Sequence, residues 1–113
     1  MAYDETLADR VRDALAPEDG VTQRKMFGGL AFMVDGHMAC GVVGEDLMLR
    51  LGAEGAEAVL ERAHVRPMDF TGRPMTGMVY VDSAGLRGVA LRNWVEKAVA
   101  HARSLPPKVP RSR

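Results

Sequence analysis

The run "LAFMVDGHMACGVV", residues 30–43, constrains the fold more than any other part of the chain. Two apolar stretches meet at Asp35-Gly36. Asp-Gly supplies the two positions of positive φ that a type I′ turn needs, and that turn joins adjacent antiparallel strands. A second turn at Gly44-Glu45-Asp46 leads into "LMLRL". There Leu47, Leu49 and Leu51 share one face while Met48 and Arg50 share the other. With "RKMFGG" leading in, residues 21–51 are expected to form an antiparallel meander of three or four strands, one face of it buried.

Such a face needs a cover, and the rest of the chain offers helices. Asp4 suits an N-cap, with Glu5 in the first turn. Leu7, Val11 and Leu15, with Ala8 and Ala14 alongside, form one apolar stripe that Pro17 and Gly20 end, so a helix is expected over about residues 4–16. "AEGAEAVLERA" (53–63) reads as a short helix weakened by Gly55, and "GMVYV" (77–81) as another strand. Asp82 or Ser83 is expected to cap a last helix. Its apolar face holds Val89, Leu91, Trp94, Val95, Ala98, Val99 and Ala102, and Pro106-Pro107 stops it. The order α-β-β-β-α-β-α describes an α+β fold, an antiparallel meander packed with helices in a single compact domain over residues 1–107. A basic tail, residues 108–113, carries Lys108, Arg111 and Arg113 and is expected to be disordered.

A chain of 113 residues, 47% of them hydrophobic, can build its own core; folding at this size buries about 65% of the unfolded surface. Fifteen basic and fifteen acidic residues cancel, which argues against sequence-independent nucleic-acid binding. Cys40 is the one cysteine, so no internal disulfide is possible and a cytoplasmic location is expected. The N-terminus lacks the basic-then-apolar order of a signal peptide, and no apolar run suits a membrane span.

Chemistry is sparse. His37 and Cys40, three residues apart on a strand, are expected to point to opposite faces and cannot share a metal. Cys40 sits among apolar neighbours, which suits a buried small hydrophobe rather than a nucleophile. The pair Gly28-Gly29 lacks the lysine of a phosphate loop and reads as a bulge or bend. No cofactor, metal or catalytic residue is expected. Eight methionines are many for this length; Met33, Met38 and Met48 suit core packing, whereas Met68, Met75 and Met78 could line a groove. The segment "RPMDFTGRPMTG" (66–77) is held extended where Arg66 and Arg73 precede proline. It reads as a loop laid across an open end of the core, burying Met68, Phe70 and Met75. The competing reading is an anion pocket bordered by Lys25, Arg50, Arg66 and Arg73. Lys25, Arg50, Arg66, Met68, Phe70, Arg73 and Met75 are thus the candidate binding surface.

"KMFGGLAFMVDGHMACGV", "DLMLRLG", "VRPMDFTGRPMTGMVYVD" and "NWVEKAVAHARSLPP", after the opening "MAYDETLADRVRDAL", together resemble the TfoX N-terminal domain family over residues 2–107. The pair "KMFGG" and F-x-G-x-P-M-x-G carries most of that likeness. The resemblance implies helices on an antiparallel sheet and a link to bacterial competence regulation with the cyclic-AMP receptor protein. It implies no catalytic residues. Full-length regulators of that type add a C-terminal domain resembling helix-hairpin-helix modules, and the chain stops where that domain would begin. The expectation is therefore a non-enzymatic, regulatory binding domain. Its expected partners are proteins, including transcription machinery, and a second copy meeting it through the sheet or the methionine surface. The alternatives are a small anionic ligand at residues 66–77, or nucleic acid on the basic tail.

Overall fold

A computed structural model describes residues 3–26, 28–70 and 73–106, the side chains of 68–70 and 73–75 excepted. The first helix, α1 (Glu5–Leu15), starts where the sequence predicts it to. The Asp4 carboxylate accepts hydrogen bonds from the Thr6 and Leu7 amides at 2.8 and 3.1 Å, satisfying two donors that the first turn leaves free. Leu7, Ala8, Val11 and Leu15 are its buried stripe.

Four strands follow: β1 (Val21–Met26), β2 (Gly29–Val34), β3 (His37–Val43) and β4 (Asp46–Arg50). The β2–β3 turn has the expected form, with φ of 54° at Asp35 and 86° at Gly36. Gly28 takes φ 72° in the preceding turn, and Gly29 is already in β2. A Cβ on Gly29 would run into the Val42 carbonyl of β3, whereas one on Gly28 would meet open space.

Helix α2 (Gly52–Val59) is shorter than the expected 53–63 and ends in turns from Leu60 onward. Residues 66–70 and 73–77 are not loop. They belong to a hairpin of β5 (Val65–Phe70) and β6 (Arg73–Val81), because the extended backbone that proline imposes is also strand backbone, and an edge strand tolerates proline. The expected burial of Met68, Phe70 and Met75 lies outside the described side chains, and the tail at 108–113 lies outside the described residues. Asp82 and Ser83 open a short 3-10 turn (Ser83–Leu86) rather than the last helix. Gly88, at φ 58°, then turns the chain into α3 (Val89–Ser104).

The sheet is six-stranded and antiparallel, in the order β1-β2-β3-β4-β6-β5. One core unites α1, α2 and α3 with Leu30, Phe32, Val34, Cys40, Val42, Leu47, Leu49, Val79 and Val81. Strand alternation puts those residues on one face, so all three helices lie on that face. On the other face Met48 and Met78 form a small second cluster with Met38, Val43 and Tyr80. Met48 is 1% exposed, and a Cβ on Gly41 would stand 2.7 Å from its terminal methyl, so the thioether lies flat over that glycine.

One register change corrects a sequence expectation. Phe32 pairs with Cys40 and Met33 with Met38, leaving Ala39 as the extra residue of a bulge. The inserted residue shifts the alternation by one, so His37 and Cys40 no longer fall on opposite faces. Cys40 enters the helix-side core, and the His37 Nε2 meets the Pro106 carbonyl just beyond α3, at 2.5 Å. Among the described residues no group of His, Cys, Asp and Glu is placed to hold a metal ion.

The glycine pair yields a contrast. Gly29→Ala is expected to cost about 2 kcal/mol, because backbone must shift to admit the methyl, whereas Gly28→Asn changes stability by less than about 0.5 kcal/mol. Urea denaturation of the two variants against the parent checks it.

Candidate functional site

Of the candidate residues, Lys25, Arg50 and Arg66 have described side chains, and these three do not converge on one pocket. Lys25 pairs with Leu30 and so lies on the helix side of β1, at one edge of the sheet. Arg66 lies on β5 at the other edge, five strand spacings away, or roughly 24 Å. Arg66 pairs with Tyr80, lies 5.1 Å over its ring and reaches Asp46 at 2.6 Å. It is committed to the helix-free face. Arg50, opposite Met78, shares that face at the end of β4. The side chains of Met68, Phe70, Arg73 and Met75 lie outside the described residues.

The two edges of the sheet differ. In an antiparallel ladder, alternate residues turn their backbone N–H and C=O inward to the neighbour and outward. On β5, Asp82 N–H donates to the His64 carbonyl at 3.0 Å, which places Arg66 in the inward set and Val65 and Pro67 in the outward one. Pro67 therefore lacks an N–H at a position where an added strand would need it. On β1, Asp35 N–H donates to the Gly20 carbonyl at 3.1 Å, so Thr22, Arg24 and Met26 face inward. Val21, Gln23 and Lys25 then point their backbone groups out of the sheet. No strand pairs with that side among the described residues.

Beside this open edge, on the helix side, lies a hollow of about 270 Å³ lined by Arg12, Leu15, Ala16, Glu18, Val21, Gln23 and Phe32. Leu15 and Phe32 give it an apolar floor. Arg12 Nε donates to Gln23 Oε1 at 3.1 Å and Arg12 also pairs with Asp9. Arg103 of α3 bonds the Glu18 carboxylate at 3.0 Å, the Asp19 carbonyl at 2.8 Å and Asp35 at 3.1 Å, fixing the α1–β1 connection that borders the hollow. Arg24 and Lys25 form no ion pair among the described residues. Sequence reasoning missed this edge. Its signal was available: "VTQRKM" is a strand with no apolar alternation, as expected of one that lacks a neighbour on one side.

The pKa values of Cys40 and His101 depart from their ordinary values. Burial pushes the Cys40 thiol up to about 12, so it stays protonated. His101 is lowered, first by desolvation and then by the charges of Arg50 and His37.

Three helices on one face of a six-stranded antiparallel sheet define an α+β domain. The chain belongs to the TfoX N-terminal domain family, whose model matches residues 13–102, from within α1 to near the end of α3. Among curated proteins none matches the chain.

Two titrations follow. Labelling of Cys40 by a disulfide reagent at pH 8 is expected to proceed only as fast as the chain unfolds. A His101 pKa below its unfolded value of 6.5 means that the unfolded chain takes up that proton first as pH falls. Stability is then expected to fall from pH 7 to pH 5, and His101→Gln to flatten the slope, as read from urea midpoints.

Proposed function

We propose that this chain is a non-catalytic binding module in regulation, acting through contacts with proteins. The observation that carries the reading is the β1 edge: three residues present backbone donors and acceptors outward beside a hollow with an apolar floor and polar walls, a combination suited to a polypeptide rather than to a small metabolite. Family membership supports a regulatory setting, since the family takes its name from a competence regulator. The protonated, buried Cys40 offers no nucleophile, and Arg66 is occupied by Asp46 and Tyr80 rather than joined to Lys25 in an anion pocket. A partner in the transcription machinery fits this reading.

The test is mild cross-linking of the tagged full chain in its host, followed by mass spectrometry, with thermal shifts against anionic metabolites in parallel. A protein recovered in near-stoichiometric amount with no metabolite stabilisation is the expected result. Strong stabilisation by a metabolite, with no protein recovered, would overturn the reading.

A further inference from the structure

We infer that β1 and the hollow beside it form a strand-addition site, and that its occupant is an extended segment of another protein carrying an apolar side chain within two residues of acidic ones. The inference rests on the binding-module reading above and names the partner's chemistry. Four observations carry it. The outward N–H and C=O groups of Val21, Gln23 and Lys25 can extend the ladder by one strand, the mode in which backbone bonds supply affinity and side-chain pockets supply specificity. The opposite edge denies this at Pro67. Residues of an added strand opposite Val21 and Gln23 share their face, and there the hollow floored by Leu15 and Phe32 can take an apolar side chain. Finally, β1 holds Arg24 on one face and Lys25 on the other, with no acidic residue on the strand.

The charge selects among occupants. A second copy offering its own β1 would bring two further cations to an edge that already has two, and like charges on neighbouring strands oppose pairing. Acidic residues beside the apolar anchor reverse the sign of that interaction. Glu18, the acid lining the hollow, is held by Arg103 at 3.0 Å, which moderates its repulsion of an acidic segment.

The experiment titrates the isotope-labelled full chain with a synthetic peptide having a Glu-Glu-Leu core between Thr-Val repeats. Control peptides have Lys-Lys-Leu and Glu-Glu-Ser cores. The expected result is exchange protection of the Val21, Gln23 and Lys25 amides and shifts at Leu15 and Phe32, with each control about tenfold weaker. Gln23→Pro removes an outward N–H and Ala16→Phe fills the hollow; each is expected to weaken binding by about tenfold. The pair Arg24→Glu/Lys25→Glu is expected to switch the preference to the Lys-Lys-Leu peptide, a readout that does not depend on the proline variant folding.

Equal affinity for all three peptides, shifts confined to another surface, or protection of these amides by self-association in the absence of peptide would each overturn the inference. If the peptide fails while a protein partner is captured equally by the parent and by Gln23→Pro, strand addition falls and the binding-module reading stands. If no protein is captured either, both fall.

Discussion

The packing of α3 against the centre of the sheet organises this molecule. Leu91, Trp94, Val95, Ala98, Val99 and Ala102 bury one side of the helix against the face that carries Cys40, Val42, Leu47 and Leu49. α1 and α2 extend that cover on the same face. Arg10 ties α1 to the carbonyl of Leu86, at 2.6 Å, in the turn before α3, and Arg62, just past α2, lies 4.4 Å over the Trp94 ring. Helix positions are thus fixed by one apolar layer and a few contacts at its margins. With a single layer of helices, only one side of the sheet is covered by them.

The other side is closed differently. Its middle is built from small residues, Ala31 and Gly41, and from methionines whose unbranched side chains can lie down on them. Met48 over Gly41 is the clearest instance. The abundance of methionine therefore finds a structural use in the second cluster, where Met48 and Met78 meet. On this face Arg66 spans from β5 over Tyr80 to Asp46, linking three strands with one charged side chain.

Much of the fold was legible in local patterns. The Asp35-Gly36 turn, the alternation of Leu47, Leu49 and Leu51 against Met48, and the Asp4 cap with its four-residue stripe each rest on neighbours in sequence, and each appears in the structure. The hairpin at β5 was obscured because proline ordinarily marks the end of regular structure, and Pro67 is admitted only by its place at an edge. The bulge at Ala39 depends on how β3 fits β2, which no local signal encodes. The start of α3 was misplaced because Asp82 and Ser83 carry the marks of a cap but begin a shorter turn. The candidate site was legible in part. Arg50 and Arg66 do lie on one face, yet the separation of Lys25 from Arg66 follows from strand order, and so does the open edge beside the hollow.

Pro67 also bears on how many molecules could ever join by their sheets. A sheet with two receptive borders can recruit a neighbour at each and grow without limit, as fibres do. Here one border lacks a backbone donor, at the imino acid Pro67. Head-to-tail addition from β1 to β5 would meet a missing donor at Pro67, which opposes open-ended growth through backbone pairing.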